Sequence, residues 1–239
     1  MVRLIRGAQE LGIHLDDKHM VLFRIYYDAL VEWNERFNLT AITDFEGVQI
    51  RHFLDSLSCL PALPHRDIQG GARLIDVGTG AGFPGIPLKI VCPDLSLTLL
   101  EATQKKIGFL EHVVGTMGLR GVTFVNRRAE EWGQDAEGRE RYDWAVARAV
   151  AELPTLAEYL LPLARVGGKV LAQKGENGPA EVHAAERAIH LLGGRVSRLV
   201  PVTIHGLAES RYIVVIDKVA ATPEKYPRRP GMPAKRPLG

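Results

Sequence analysis

Apolar residues recur at intervals of three and four positions across residues 17–37. The members of this stripe are Leu22, Tyr26, Ala29, Leu30, Trp33 and Phe37. Such spacing predicts an amphipathic helix. A second helix is predicted over residues 45–57, with Thr43 and Asp44 as candidates for its N-terminal cap. The segment 59–71 that follows carries the prolines and glycines typical of a linker, so residues 1–70 are expected to form a helical extension.

Beyond this extension the pattern changes to short apolar runs separated by stretches of helical character. The first five runs are RLIDV, SLTLLE, VTFVN, YDWAVAR and GKVLAQ. Their alternation predicts an α/β fold over residues 71–219, with a parallel sheet and crossover helices. Two further runs, RVSRLVPVTI and SRYIVVIDKV, are separated only by HGLAE, which predicts a closing antiparallel hairpin. The expected fold is a Rossmann-like, mostly parallel sheet of seven strands, as in class I S-adenosylmethionine methyltransferases.

The turn after the first run satisfies two nucleotide-binding patterns. One is G-x-G-x-x-G, formed by Gly80, Gly82 and Gly85. Glu101, at the end of the next run, lies where a carboxylate takes the ribose hydroxyls of a dinucleotide. A dinucleotide-dependent oxidoreductase is therefore one interpretation.

The other pattern is D-x-G-x-G-x-G, in which Asp76 and three glycines approach the amino-acid portion of S-adenosylmethionine. Those glycines are Gly78, Gly80 and Gly82. Pro84 and Pro87 remove backbone N–H groups from the region that must present donors to a diphosphate in a dinucleotide fold. The prolines and the closing hairpin favour S-adenosylmethionine, with Glu101 as the ribose carboxylate.

Composition narrows the class of protein. The 239 residues are 46% hydrophobic and 24% charged, as in ordinary globular chains, and no apolar run approaches the roughly 18 residues of a membrane span. The N-terminus has no long apolar segment with a cleavage site, and Cys59 and Cys92 show no metal or redox spacing. We expect a cytoplasmic protein without a metal, and nothing in the sequence requires more than a monomer.

The last 20 residues, 220–239, are basic and rich in proline, although the net charge of the chain is only +2. Five prolines from Pro223 onward are expected to exclude a helix or a central strand there. Composition leaves open a solvated terminus or an arm that contacts RNA phosphates. The candidates for such contacts are Arg228, Arg229, Lys235 and Arg236. For an RNA-binding arm, removal of the chain after Val219 is expected to weaken RNA binding with little effect on cofactor binding.

Several fragments, in order along nearly the whole chain, resemble the GidB family of ribosomal RNA methyltransferases. They are WNERFNLTAIT, RHFLDSL, DVGTGAGFPGIPL, RAEE, ARAVA, KG at Lys174, and YPRRPGMPAKRPL. The resemblance implies a bacterial enzyme that transfers a methyl group from S-adenosylmethionine to N7 of one guanine in the 530 loop of 16S rRNA. Its partner would be that RNA or the small ribosomal subunit. A methyltransferase for another RNA stays open as an alternative.

The resemblance also assigns residues to the cofactor pocket. Phe83 would line it, and Ala129 and Glu130 would contact the adenine. Glu101 stands where the family often has Asp. This difference keeps a carboxylate at the position and shifts it by one methylene group. Arg148 would belong to both the cofactor pocket and the substrate pocket, at a strand end where open α/β sheets present their ligands.

Other candidates concern the RNA. Lys174 is, with Arg148, a candidate for positioning the substrate, and it could also steer a phosphate, as could Arg128 and Arg211. Three residues in the extension match family motifs without a defined role. They are Asn38, Thr40 and His52.

The implied reaction explains why no catalytic acid or base is predicted. Guanine N7 carries a lone pair and no proton, so its attack on a sulfonium methyl group needs no general base. In-line positioning of the reactants can lower the activation barrier by roughly 7–11 kcal/mol. The sequence lacks an N-P-P-Y-like segment for an exocyclic amine, and Cys92 lies in the wrong place for the nucleophile that methylation at C5 of a pyrimidine requires.

Overall fold

The fold is built around one sheet in a computed structural model that describes residues 1–64 and 70–238. Its strands are β1 Arg73–Val77, β2 Ser96–Leu100, β3 Val122–Val125, β4 Tyr142–Arg148, β5 Ala164–Lys174, β6 Gly194–Val202 and β7 Arg211–Lys218. The strand order is β3-β2-β1-β4-β5-β7-β6. Strands β1 to β5 pair in parallel, and β7 runs antiparallel between β5 and β6. The predicted seven-stranded sheet with a closing hairpin is confirmed.

Helices cover both faces of this sheet. They are α1 Val2–Glu10, α2 Asp17–Phe37, α3 over residues 45–57, α4 Gly85–Val91, α5 Gln104–Met117, α6 Ala129–Trp132, α7 Leu153–Leu160, α8 Gly178–Leu191 and α9 Met232–Lys235. Helix α3 is one continuous helical stretch whose middle, Gln49–Leu54, is π-helical. Within the described ranges, 1–64 and 70–238, no helix is both long enough and apolar enough to cross a membrane.

The predicted bounds of α2 and α3 are confirmed, and polar caps explain where both begin. The carboxylate of Asp16 accepts a hydrogen bond from His19 N at 3.0 Å at the start of α2. Asp44, one of the two predicted caps, accepts from Gly47 N at 2.7 Å at the start of α3. Such caps satisfy N–H groups that the first helical turn leaves unpaired.

Helix α1 was missed by the sequence analysis, although its buried Leu4 and Ala8 show the spacing of a short amphipathic helix. The predicted linker 59–71 is described only in part. It contains a 3-10 turn, Leu60–Ala62, and residues 65–69 lie outside the described part of the chain.

The inner strands are buried on both faces, and alternate side chains enter two separate cores. On β1, Leu74 enters the core with residues of α1 to α5, whereas Ile75 enters the core with residues of α6, α7 and α8. Val146 and Ala147 on β4 divide in the same way. This alternation follows from the two-residue period of a strand. Because the first core contains helices of the extension, residues 1–64 share a hydrophobic core with the sheet.

The tail folds back onto the α6 and α7 side of the sheet. Arg139 donates from Nη1 to the carbonyl of Tyr226 at 2.7 Å and from Nη2 to that of Thr222 at 2.6 Å. Gln134 Nε2 donates to Pro227 O at 2.8 Å. The prediction that prolines exclude a helix here was wrong for α9, because Pro233 lies in its first turn, where no intrahelical N–H bond is lost.

Candidate cofactor and substrate site

The glycine turn joins the end of β1 to α4. Gly78 N donates to Leu100 O at 2.8 Å, which fixes the turn to the end of β2. Gly78, Gly80 and Gly82 have φ angles of 65°, 62° and 97°, in a region of backbone conformation that residues other than glycine rarely adopt. A Cβ atom at Gly80 would meet no atom nearer than 4.0 Å. The turn therefore presents bare backbone at this position.

Asp76 lies beneath the turn and is fully buried. Its Oδ2 accepts hydrogen bonds from Thr79 Oγ1 at 2.6 Å and from Gly85 N at 2.8 Å. Its Oδ1 has no hydrogen-bond partner among the described residues. Burial raises the pKa of Asp76 to about 6, although those hydrogen bonds and the charge of Arg148 oppose the rise. The site thus holds a buried acceptor that is destabilised as an anion and has unused hydrogen-bonding capacity.

The start of α4 offers little to a diphosphate. Gly85 N is used by Asp76, and Ile86 N donates to Gly82 O at 2.8 Å. Pro87 has no N–H group. The structure therefore argues against the dinucleotide interpretation, because the donors that would bind a pyrophosphate at a helix N-terminus are absent or used within the turn.

Glu101 follows β2 and is bound to the same turn. Its Oε2 accepts from Gly80 N at 3.1 Å, and its Oε1 accepts from Thr103 N at 2.9 Å. Lys106 Nζ lies 3.9 Å from Oε2. These contacts hold the carboxylate at the ends of β1 and β2, which is where the sequence predicts the ribose-binding group.

Ala129 and Glu130, at the start of α6, line a cavity of about 260 Å³ together with Gly78 and Glu101. The structure thus brings the predicted ribose and adenine residues together. Two tail residues, Gly231 and Ala234, complete the wall of this cavity, and Gly231 N donates to Glu130 Oε1 at 2.8 Å. We refer to this space as the adenine cavity, after the predicted role of Ala129 and Glu130.

A larger cavity of about 690 Å³ adjoins the same turn, and Gly78 lines both cavities. It is also lined by Gly80, Phe83, Arg148 and residues of the extension. We refer to this space as the acceptor cavity.

Arg148 is held in the acceptor cavity by an ion pair. Its Nη1 donates to Asp55 Oδ2 at 2.7 Å and to Arg51 O at 2.9 Å, and its guanidinium lies 4.9 Å from the centroid of the Phe83 ring. Arg211 Nε donates to the other oxygen of Asp55 at 3.1 Å. Asp55, which was not singled out in the sequence, thus fixes two predicted arginines at once.

His52 and Thr40 enter the acceptor cavity from the extension, and His52 stacks on Phe83 with ring centroids 4.6 Å apart. Nδ1 of His52 lies 3.0 Å from Arg51 O and 3.5 Å from Arg148 Nη2, and the shorter contact favours an N–H on Nδ1, with Nε2 accepting from Thr40 Oγ1 at 2.8 Å. Burial and the charge of Arg148 lower the pKa of His52 to about 4. The ring is therefore neutral at physiological pH. Asn38 ends α2 with a φ of 47° and is exposed.

The predicted phosphate-steering residues differ in availability. Lys174 is 8% exposed, and its Nζ lies 2.6 Å from both Glu181 Oε2 and Ala151 O. It lines the acceptor cavity, but its ammonium group is already paired. Arg228 is bound to Glu158, with Nη2 and Oε2 2.6 Å apart. The remaining candidates are exposed: Arg128, Arg229, Lys235 and Arg236.

Sequence comparison identifies the group of proteins to which this chain is related. Residues 19–210 match the family GidB, described as rRNA small subunit methyltransferase G. The chain belongs to the GidB family. The proteins named ribosomal RNA small subunit methyltransferase G of Roseiflexus sp. (strain RS-1) and Alkaliphilus metalliredigens are 52% and 48% identical to it. The alignment with the Roseiflexus protein covers 100% of this chain and 100% of that one. The alignment with the Alkaliphilus protein covers 97% of this chain and 96% of that one.

Solved structures agree at the level of the fold. A structure titled as a SAM-dependent methyltransferase from Aquifex aeolicus superposes with a TM-score of 0.56 at 18% identity, covering 76% of this chain and 97% of that one. The predicted family and fold are confirmed. This GidB protein is a methyltransferase whose cofactor is S-adenosylmethionine.

The residues of the GidB chain fit that cofactor. The unpartnered Oδ1 of Asp76 and the open backbone at Gly80 lie at the turn, where a cationic amino-acid portion needs acceptors and space. Glu101 and Glu130 both supply carboxylates that line the adenine cavity. Among the residues of 1–64 and 70–238, no three His, Cys, Asp or Glu side chains converge as a metal site would require.

Three residues of the GidB site were missed by sequence reasoning. Tyr26 was named only as a member of the apolar stripe of the first predicted helix, yet its hydroxyl donates to Ala81 O within the turn at 2.5 Å. Asp55 lay within a fragment that resembles the family, and a carboxylate within the predicted helix 45–57 was its only signal. Gly231 lay in the tail, where nothing in the local pattern indicated a contact with Glu130.

Proposed function

We propose that this protein transfers a methyl group from S-adenosylmethionine to N7 of one guanine in the 530 loop of 16S rRNA. The curated relatives are named as methyltransferases of the small-subunit ribosomal RNA, which supports an rRNA substrate for this chain. We further propose that it acts as a monomer in the cytoplasm, where ribosomal subunits assemble.

The observation that carries the choice of N7 is the state of the titratable groups around the acceptor cavity. Asp55 is ion-paired with Arg148 and Arg211, and Glu181 is ion-paired with Lys174. The pKa of His52, about 4, makes it a weak base. These groups are poorly suited to remove a proton from an amine or a hydroxyl. N7 has no proton to lose, so this cavity suits it.

The chain itself supplies binding and orientation. We assign the turn at Asp76 and Gly80 to the amino-acid portion of the cofactor, Glu101 to the ribose, and Ala129 and Glu130 to the adenine. When bound, the cofactor supplies an electrophilic methyl group on a sulfonium. Gly78 of this turn lines both cavities, so the acceptor cavity would lie next to the transferred group.

Phe83, His52 and Arg148 form a stacked and rigid wall of the acceptor cavity. Because both His52 nitrogens and both Asp55 oxygens are bonded within the protein, this wall is preorganised. We propose that it orients the guanine for in-line attack and excludes water from the reacting atoms. Arg148 acts here as a positioning residue.

RNA phosphates are assigned to the exposed cations. Arg128, Arg229, Lys235 and Arg236 are available on the surface, whereas Lys174 and Arg228 are paired within the protein. Contacts to phosphate fix the orientation of an RNA without reading its sequence, and they make binding sensitive to salt.

The test is to incubate the protein with methyl-labelled S-adenosylmethionine and small ribosomal subunits from cells that lack this activity. Label is then mapped by chain cleavage selective for 7-methylguanosine, with deproteinised 16S rRNA as a parallel substrate. A single cleavage in the 530 loop is expected. Label elsewhere in the RNA would support the alternative substrate. No label, with cofactor binding confirmed, would contradict the ribosomal target.

A further inference from the structure

We propose that the C-terminal tail is part of the cofactor site, where Gly231 positions Glu130 for recognition of the adenine and Ala234 closes the cavity. The inference rests on the cofactor residues proposed above and is independent of the RNA target. It gives the tail a role within the protein in addition to contacts with RNA.

The first observation is the direct bond between the tail and the predicted adenine residue. Glu130 is 5% exposed, and its Oε1 accepts from Gly231 N at 2.8 Å. A carboxylate that receives one fixed hydrogen bond has a defined orientation, and it retains acceptor capacity for an exocyclic amine. Gly231 thus acts on recognition through Glu130.

The second observation is that the tail forms a wall of the adenine cavity. Gly231 and Ala234 lie opposite the ends of β1 and β2, from which Gly78 and Leu100 line the same space. Without them the cavity would be open on the side of α9. An open site leaves adenine in contact with water, which lowers the gain from burial of the base.

The third observation is that the tail is anchored before it reaches the cavity. The Glu158 side chain is fully buried, and it binds Arg228 through Nε at 2.9 Å and Nη2 at 2.6 Å. Thr155 Oγ1 donates to Pro233 O at 3.2 Å. These contacts fix the tail on both sides of Gly231, so little ordering is left to occur when the adenine binds.

On this proposal tail removal weakens cofactor binding, whereas the sequence analysis expects little effect. A chain shortened to residues 1–228 keeps the Arg228–Glu158 pair and loses Gly231 and Ala234. We expect its affinity for S-adenosylhomocysteine to fall about tenfold, the size of one lost hydrogen bond to a charged group. We also expect a smaller preference over S-inosylhomocysteine, which carries a carbonyl in place of the amine.

A point variant avoids the question of whether the shortened chain folds. Ala234 is exposed, so Ala234→Phe adds a ring at the cavity without disturbing a core. Lys235→Phe adds the same ring at an exposed neighbour that does not line the cavity. Thermal melts without ligand first show that both variants are folded. Their affinities for S-adenosylhomocysteine and S-inosylhomocysteine are then measured by titration calorimetry. Weaker binding by Ala234→Phe but not by Lys235→Phe is expected.

Glu130→Gln serves as the reference for adenine recognition, and it should reduce the preference for the adenine compound. If the 1–228 chain and Ala234→Phe bind both compounds as the full chain does, the proposal is overturned. An unchanged preference in Glu130→Gln would also overturn it, because Glu130 would not read the amine. None of these measurements contains RNA, so failure of the ribosomal target leaves them unaffected.

Discussion

The hydroxyl of Tyr26 donates a hydrogen bond to the carbonyl of Ala81, 55 positions along the chain, inside the cofactor turn. The same hydroxyl explains why residue 82 is glycine, since a Cβ at Gly82 would lie 2.5 Å from the Tyr26 oxygen and 2.5 Å from Ile86 Cδ1. The helical extension and the turn are therefore fitted to each other. Helix α2 thus holds the glycine turn in place through the Tyr26 hydrogen bond.

Removal of this hydroxyl should weaken both the fold and the site. In Tyr26→Phe the buried Ala81 carbonyl loses its donor, which costs about 1–3 kcal/mol of unfolding free energy. Cofactor affinity should fall as well, because the turn loses its support. Urea denaturation and titration calorimetry measure the two effects. Tyr27→Phe is the matched control. The hydroxyl of Tyr27 donates to the carbonyl of Thr43 at an exposed site, which is not part of the turn. Equal cofactor affinities in the two variants would contradict this role.

Asp76→Asn should stabilise the cofactor-free protein and weaken cofactor binding. The raised pKa of Asp76, about 6, means that the native state binds more protons than the unfolded state between about pH 4 and about pH 6. The ionised form therefore costs stability as pH rises through this window, up to about 3 kcal/mol above it. The variant lacks this cost. Its stability relative to the parent should rise with pH and then level off.

Cofactor binding should favour the ionised form of Asp76, although that form lowers the stability of the cofactor-free protein. The ammonium group of the cofactor favours the ionised form of Asp76, so affinity in the parent protein should decrease as pH falls below about 6. Asp76→Asn should bind more weakly and show no such dependence over that range. Calorimetry from about pH 5 to about pH 7 tests this. A parallel pH dependence in both proteins would show that another group is responsible.

The rate of methyl transfer should be independent of pH near neutrality. His52, with a pKa of about 4, stays neutral, and the carboxylates of the acceptor cavity are ion-paired. Single-turnover rates at saturating cofactor and RNA should therefore be flat from about pH 6.5 to about pH 8. A rise with a single titration step in this range would indicate a general base and would argue against N7 as the acceptor.

Arg228→Met should destabilise the fold, because it leaves the buried Glu158 carboxylate unpaired. The expected loss is about 3 kcal/mol of unfolding free energy. Arg229→Met removes an exposed charge next to it and should change stability by no more than about 0.5 kcal/mol. The double variant Arg228→Met with Glu158→Gln should recover part of the loss, since the buried charge is gone. Urea denaturation of the three variants gives the comparison.

Local patterns predicted the elements of this fold well. Helix α2 is 21 residues long, so its stripe repeats often enough to define both ends, and β1 and β4 were predicted with their observed bounds. Helix α1 has only 9 residues, too few repeats of the apolar spacing to stand out. The cofactor turn was predicted because its glycines and Asp76 lie within one short segment.

The rest of the site depends on contacts between distant parts of the chain. Asp55 meets Arg148 across 93 positions, and Glu130 meets Gly231 across 101. No hydrophobic period encodes such a pair, and a charged residue in a basic tail has the same local signal whether it is solvated or buried. Arg228 was accordingly predicted for RNA, whereas its partner in the structure is Glu158.

Gly231 and Ala234 follow the sheet and Glu130 along the chain, which sets an order of events during synthesis. Translation proceeds from the N-terminus, so α2, the turn and Glu130 have all been made before the tail emerges. The adenine cavity gains the wall formed by these two residues only after β7 has been made. A chain that ends early at its C-terminus therefore lacks part of the nucleotide site even when its sheet is intact.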